Sequence, residues 1–153
     1  MKSWFPKGCQ RHIKTYGKHE SVKLIGIINY ETGKVYVEES EEFNAEIFLA
    51  FLKNVLKQYP SGKIVMVLDN SKVHHAILLN DFLKDNPRLT FMFLPPYSPK
   101  LNIIEGLWGW LKDTCINNVF FKKFYQIKLA IRKFVNMVNA NTDITIDRLC
   151  VQL

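Results

Sequence analysis

The order of apolar runs along the chain predicts an α/β domain with a mixed sheet flanked by helices. Three observations lead there. Short, apolar, largely β-branched runs at residues 22–30, 63–68 and 89–94 read as strands. The first is followed, after a tight turn, by an alternating partner, which makes an antiparallel hairpin, whereas the later two are separated by helix-patterned sequence, the connection that parallel strands need. Stretches with a 3.6-residue apolar period stand between the runs and after the last of them, giving the order β-β-α-β-α-β-α-α.

Residues 1–20 mix Lys, Arg, His and Gly with Trp4, Phe5 and Tyr16 without a clean period, and read as a lead-in loop with at most one short strand. Residues 22–30 (VKLIGIINY), the turn Glu31-Thr32-Gly33 and the alternating residues 34–38 (KVYVE) form the expected hairpin. Asn44 supplies an N-cap for a helix with Phe48, Phe51, Leu52, Val55 and Tyr59 on one face, ended by Pro60-Ser61-Gly62. Residues 63–68 (KIVMVL) read as a buried strand. A second helix is expected over residues 74–84 with Ile77, Leu78 and Phe82 on its apolar face, stopping before Asn86-Pro87, and residues 89–94 (LTFMFL) read as another fully apolar strand. In residues 95–99 (PPYSP) three prolines remove three backbone donors and fix φ, so this must be a rigid loop. Ile104, Leu107, Trp108, Leu111 and Cys115 mark a third helix; Phe124, Ile127, Ile131, Phe134 and Val138 mark a fourth.

With 153 residues and 48% hydrophobic content, residues 1–153 are expected to form a single domain. A formal charge of +7 and a pI near 9.3 suit a phosphate-rich partner without choosing among DNA, RNA and an anionic membrane. Cys9, Cys115 and Cys150 are odd in number and lack a CxxC pair, which argues against a disulfide framework or a zinc site and fits a reducing cytosol. Neither an apolar run of membrane-spanning length nor a signal-peptide core is present in the sequence, so no membrane partner is expected.

Two carboxylates stand out. Asp69 follows the run VMVL, which puts it at the C-terminal mouth of a parallel strand, where open α/β sheets bind ligands; Asp-Asn is also ordinary turn chemistry. Glu105 falls in the first turn of the third helix, where Asn102 and Glu105 also fit a capping box. Both follow strands that end on the same side of the sheet, and hard oxygen donors suit Mg²⁺ or Mn²⁺ better than zinc.

The two surroundings carry a resemblance. LDNSKVHHA (residues 68–76) and LPPYSPKLNIIEGLWGWLK (residues 94–112) resemble the second and third acidic motifs of DDE superfamily transposases of the mariner-like and insertion-sequence type, with residues 70–104 separating the two acids. Trp4, Lys7-Gly8 and Tyr16-Gly17-Lys18-His19 extend the likeness over most of the chain. The resemblance implies a ribonuclease H-like fold with an Asp, Asp, Glu triad that holds two divalent ions, Mg²⁺ or Mn²⁺. It implies DNA as substrate, both transposon ends and target, cut and joined by in-line phosphoryl transfer. Asp69 and Glu105 match the second and third triad positions as catalytic metal ligands. Asn70, His74, His75, Tyr97, Lys100, Asn102, Trp110 and Lys112 are the positions expected to contact DNA, with Lys122, Lys123, Lys128, Arg132 and Lys133 adding phosphate-pairing charge. Trp108 and Trp110 lie two apart and cannot share a helix face, so Trp108 joins the apolar stripe and Trp110 points elsewhere. Gly109 keeps its face small enough for a close DNA backbone.

The sequence departs from the family pattern in one main respect. The family's first aspartate lies in an Asp-Glu pair on the first strand, ahead of the segment matched by Trp4 and Lys7-Gly8, and no aspartate precedes Asp69 here. That strand is expected to fall before Met1. It is the central strand of a ribonuclease H-like sheet, so its loss would leave inner strand edges unpaired as well as the metal site under-neutralised. Ile103 also replaces the family's usual proline before the glutamate. The leading expectation is thus the catalytic-domain portion of a transposase, inactive alone, served by an upstream-frame product that supplies the first strand and a helix-turn-helix, with a second copy of the chain as a further partner. Its place would be the cytoplasm, on the nucleoid in a prokaryote. The alternatives are a non-catalytic DNA- or partner-binding remnant, and a ribonuclease H-like nuclease acting on RNA or hybrid duplex, which the proline-rich motif disfavours.

Overall fold

A computed structural model describes residues 22–150. The expectation of a loop over residues 1–20, like the Trp4 to His19 part of the resemblance, lies outside the described residues. Strands β1 (Lys23–Ile28) and β2 (Val35–Ser40) pair antiparallel, from Lys23 opposite Ser40 to Ile28 opposite Val35. Their turn is built by the Asn29 side chain, whose Oδ1 accepts the N–H groups of Glu31 and Thr32 at 3.0 Å each. Gly33 closes it at φ +71°, and a Cβ there would lie 2.5 Å from the Thr142 carbonyl oxygen, so only glycine fits both the turn and its neighbour.

Helix α1 (Ala45–Gln58) begins as expected, with Asn44 Oδ1 accepting the Ile47 N–H at 2.9 Å. Phe48, Phe51, Leu52 and Val55 are buried along one face, each contributing about 1.5–3 kcal/mol of burial free energy. At its far end the Arg88 guanidinium donates to the Leu56 and Gly62 carbonyls at 3.0 and 3.3 Å, a cation on C-terminal carbonyls that also ties the helix to the Pro60-Ser61-Gly62 turn. Strands β3 (Ile64–Leu68) and β4 (Leu89–Phe93) pair parallel, Ile64 opposite Leu89 through Leu68 opposite Phe93, with α2 (Leu78–Asp85) as the crossover. Then come α3 (Ile103–Leu111), continued by a π-type turn at Lys112–Ile116, and α4 (Phe124–Ala140). A short α5 (Thr142–Thr145) and a second π-type turn (Ile146–Cys150), which the apolar pattern does not reveal, complete the described chain.

The strands are mixed in direction, as expected, but among the described residues they stand as two two-stranded sheets, β1-β2 and β3-β4. One core joins them: Ile25 of β1, Met66 and Leu68 of β3, Leu79 of α2 and Leu89 of β4 are buried around the apolar face of α1. The other face of the hairpin carries Val35, which is buried with Leu107 and Leu111 of α3, Ile131, Phe134 and Val138 of α4, and Leu149 and Cys150. Asn139 fastens α4 to that hairpin, donating to the Val35 carbonyl and accepting the Val35 N–H at 2.8 Å each.

Three sequence expectations need correction. β3 and β4 are not buried on both faces: Val65, Val67 and Met92 are 57%, 49% and 57% exposed, because α3 and α4 lie over the hairpin and leave this face of the second sheet open. The second helix starts at Leu78, not residue 74; residues Lys72–His75 form a 3₁₀ turn that ends where Ala76 turns extended. Its apolar register also differs. Leu79 is the buried residue, with Phe82 and Leu83 packed beside it, and Ile77 is 85% exposed. No helix among the described residues is long and apolar enough to cross a membrane.

Candidate active site

Strands β3 and β4 leave their sheet together, with the Leu94 N–H donating to the Leu68 carbonyl at 2.8 Å. Asp69 is the next residue after β3. Its Oδ1 accepts the Ser71 N–H at 3.0 Å, an Asx-type turn that folds the chain back, and lies 2.9 Å from His74 Nδ1. The side chain is 53% exposed, and Oδ2 accepts no hydrogen bond among the described residues. The turn chemistry and the position at the C-terminal mouth of a parallel strand are therefore found in one residue.

The residues after Asp69 serve to hold this loop. Asn70 Nδ2 donates to the Leu94 carbonyl, which ties the exit of β3 to the start of the proline loop. Its Oδ1 lies 3.2 Å from His75 Nε2, and the His75 ring stacks on Phe93 with centroids 4.2 Å apart. Beside these rings a cavity of about 330 Å³ opens between α2 and β4, lined by His74, His75, Asn80, Thr90, Phe91 and Phe93 among others. The histidine rings bonding back to the Asp69-Asn70 backbone and amide account for the 3₁₀ turn in place of the expected helix. That packing is not readable in the sequence: Phe48 stands there only as a helix-face residue, with no sign that it backs His74.

Residues 95–98 form a loop, as expected, while Pro99 already opens a 3₁₀ turn, whose φ suits proline; Tyr97 stands fully exposed in the loop with φ +58°. That turn, Pro99–Leu101, leads to α3, with Lys100 exposed. Asn102 caps α3 through its backbone alone: its carbonyl accepts the Glu105 N–H at 3.0 Å, and its side chain makes no capping bond. The expected capping box is thus not formed. The Glu105 side chain is exposed and engages no hydrogen bond or ion pair among the described residues, while Leu107 behind it is fully buried and anchors the helix. No hydrogen bond links Glu105 to Asp69, and no group of three His, Cys, Asp or Glu side chains suited to a metal occurs among the described residues.

Along α3 beyond Glu105, a Cβ at Gly109 would meet nothing within 4 Å and Lys112 after the helix is exposed, so that stretch of the helix surface is open. Trp108 packs inward over Gly26, as the helix spacing predicts. Trp110, expected to point elsewhere, packs against the same core as Trp108: it is half-buried, edge-on to Phe134 at 5.2 Å with the Arg148 guanidinium 4.8 Å from its ring centre, because the two faces of α3 are covered by the hairpin and by α4. Arg132 is committed within the protein, its guanidinium paired with both carboxylate oxygens of Glu39 at 2.9 and 3.2 Å.

Comparison with known proteins adds three findings. Residues 1–128 match the family model described as "DDE superfamily endonuclease". The chain is 30% identical over 137 residues to the insertion element IS630 uncharacterized 39 kDa protein of Shigella sonnei, covering 89% of this chain and 40% of that one. It is 36% identical over 63 residues to uncharacterized protein y4pE/y4sA of Sinorhizobium fredii (strain NBRC 101917 / NGR234), covering 41% and 44% respectively. The chain thus spans less than half the length of these relatives. In fold it is similar to a solved structure of the Mos1 transposase paired-end complex with left transposon end, at a TM-score of 0.61 and 15% identity, over 96% of this chain and 49% of that one.

Proposed function

The chain belongs to the DDE superfamily endonucleases, and from that premise we propose that it is the catalytic-domain portion of a transposase, contributing Asp69 and Glu105 to metal-dependent DNA cleavage and strand transfer. The observation that carries this reading is the state of the two acids. Asp69 is exposed directly after β3 and Glu105 is exposed in the first turn of α3, beyond the loop that follows β4, and among the described residues Oδ2 of Asp69 and both carboxylate oxygens of Glu105 accept no hydrogen bond. A glutamate used for capping, or an aspartate spent wholly on its turn, would be occupied.

The donor set fits a divalent ion with oxygen chemistry. Asp69 and Glu105 are the residues that would hold Mg²⁺ or Mn²⁺, with water completing the shell. Bound ions supply activation of the attacking hydroxyl and stabilisation of the leaving oxygen. The chain's own contributions are to hold Asp69 through Ser71 and His74, to tie its loop to the proline loop through Asn70, and to set Glu105 on a buried anchor at Leu107. Exposed Tyr97, Lys100 and Lys112, with Asn102, Trp110 and the Asn70, His74 and His75 group, line the proposed DNA path; lysines there neutralise phosphate. The solved neighbour, a transposase in complex with a transposon end, supports DNA as partner.

These residues hold two of three acids, so the chain alone is proposed to be inactive and to act with a polypeptide that supplies a strand carrying the first aspartate and a helix-turn-helix. The separate β1-β2 and β3-β4 sheets, both packed on α1, support a further strand between them. A second copy of the chain is a further proposed partner, and the cytoplasm, on the nucleoid in a prokaryote, the proposed location. The competing reading is a non-catalytic DNA- or partner-binding remnant, favoured by the lack of a three-ligand metal group among the described residues.

A nicking assay on supercoiled DNA separates the two. The chain is titrated with Mn²⁺ alone, and again joined to the segment of the 39 kDa relative that it does not span. The transposase reading expects no nicking in the first case, nicking in the second, and its loss in Asp69→Asn and Glu105→Gln. Absence of nicking in both, with DNA binding retained, would leave only the binding module.

A further inference from the structure

His74 combines two environments. Its side chain is only 12% exposed, with the Phe48 ring centre 4.7 Å away and that of Phe43 at 6.3 Å. From this apolar wall Nδ1 emerges between two oxygens of one residue, 2.9 Å from Asp69 Oδ1 and 3.1 Å from the Asp69 carbonyl. A backbone carbonyl can only accept, so the hydrogen belongs on Nδ1. The Ser71 N–H reaches the same Oδ1 at 3.0 Å. Oδ1 thus accepts the Ser71 N–H and lies against the Nδ1 edge of a ring that is itself tied to the Asp69 backbone, which restricts its rotamer and leaves Oδ2 without a hydrogen bond among the described residues.

We propose that His74 is a positioning residue for Asp69: it presents Oδ2 outward to a divalent cation, and its aromatic packing serves to aim Nδ1. The inference rests on the reading of Asp69 as a metal ligand. Its neighbour His75 has a different task, since its ring is exposed, stacks on Phe93 and addresses Asn70 rather than Asp69. Adjacent histidines that look equivalent in sequence thus divide between the ligand and its loop. Hydrogen bonds to a ligating group raise metal affinity by holding it in the binding orientation, so that no side-chain freedom has to be removed when the ion arrives.

The test uses a difference between two amides. Asn Nδ2 is attached to Cγ, as His Nδ1 is, so His74→Asn can return a donor to the Asp69 oxygens; Gln carries its nitrogen one bond farther, where His has Nε2. Packing ranks them the other way, because Gln fills more of the space against Phe48 than Asn does. Mn²⁺ binding to the full chain, followed by water proton relaxation, is compared for the wild type, His74→Asn, His74→Gln and Asp69→Asn. Positioning predicts Mn²⁺ binding weakened about tenfold or more in His74→Gln, close to wild type in His74→Asn, and lost in Asp69→Asn. Long-range ¹H–¹⁵N correlation of the wild-type ring is expected to report the Nδ1–H form. Equal binding in His74→Gln and wild type, a larger loss in Asn than in Gln, or an Nε2–H ring overturns the role of His74. Failure of the underlying reading has its own signature: Mn²⁺ binding that is absent from the wild type or unchanged in Asp69→Asn removes Asp69 as a ligand, and the inference with it.

Discussion

Gly26 lies in the middle of β1 beneath the indole of Trp108, and replacing it with alanine tests how closely α3 is seated. A Cβ at Gly26 would sit 2.8 Å from Trp108 Cη2, 3.2 Å from Cζ2 and 3.1 Å from a Val37 methyl. Contacts under 3.0 Å force a shift, and the ring is held by the Leu107 and Leu111 anchors on the same helix, both buried. Overpacking of this kind costs about 1–3 kcal/mol, offset by about 0.5–1 kcal/mol because alanine loses less backbone entropy in a strand than glycine. The net expectation for Gly26→Ala is a destabilisation of up to about 2.5 kcal/mol, which for a chain of this size lowers Tm by up to about 10 °C. Thermal unfolding followed by far-UV circular dichroism measures it, in the wild type and in Trp108→Leu. In the leucine background the contacts with the indole are gone and only the 3.1 Å approach to the Val37 methyl remains, so the same substitution should cost clearly less. An equal loss in both backgrounds would refute the steric account, and with it the view that Gly26 sets the height of the helix carrying Glu105.

Two further outcomes are expected. The Tyr36 hydroxyl is pushed up to about 12 by burial first, and then by the hydrogen bond to Glu38 at 2.6 Å and its negative charge. The folded state therefore favours the protonated phenol, so its contribution to stability is full below pH 10 and is lost as pH rises through about 12. Ultraviolet titration should show a late-ionising tyrosine component, and Tyr36→Phe should remove it; a titration in which that component survives the substitution would contradict it. In α2, Leu79→Ala should cost about 2–5 kcal/mol in urea unfolding, whereas Ile77→Ala should stay within about 0.5 kcal/mol, since Leu79 is 1% and Ile77 85% exposed. Comparable losses at the two positions would reverse the assigned register.

The α2 comparison also marks where sequence reading stops. Ile77, Leu78 and Phe82 make an acceptable apolar stripe, and nothing local distinguishes it from the stripe through Leu79, Phe82 and Leu83. The choice falls to the histidine rings, which hold Lys72–His75 in a 3₁₀ turn and delay the helix to Leu78. By contrast, the Asn44 cap, a hairpin turn through Glu31-Thr32-Gly33 and the face of α1 appear as read, because each depends on residues within a few positions of one another; Asn29 and Tyr30, read as strand, fall in that turn instead.

The same division holds for the site. The succession of strands and helices and the location of Asp69 and Glu105 after two apolar strands are legible in the sequence, since they depend on periodicity, turn chemistry and spacing, while the likeness to a transposase motif pair rests on the resemblance of the motif residues themselves. The surroundings of each acid are not. Glu105 could cap its helix or stand free, and local sequence allows both; in the folded chain it is free of the Asn102 cap. Asp69 could be a turn residue or a ligand, and it is held by Ser71 on one oxygen while keeping the other open. Likewise the apolar strands could be covered on both faces, yet Val65, Val67 and Met92 are exposed because α3 and α4 settle on the hairpin instead. Contacts between residues far apart in the chain depend on which surfaces meet, and a one-dimensional pattern records only that a surface is apolar, not what lies against it.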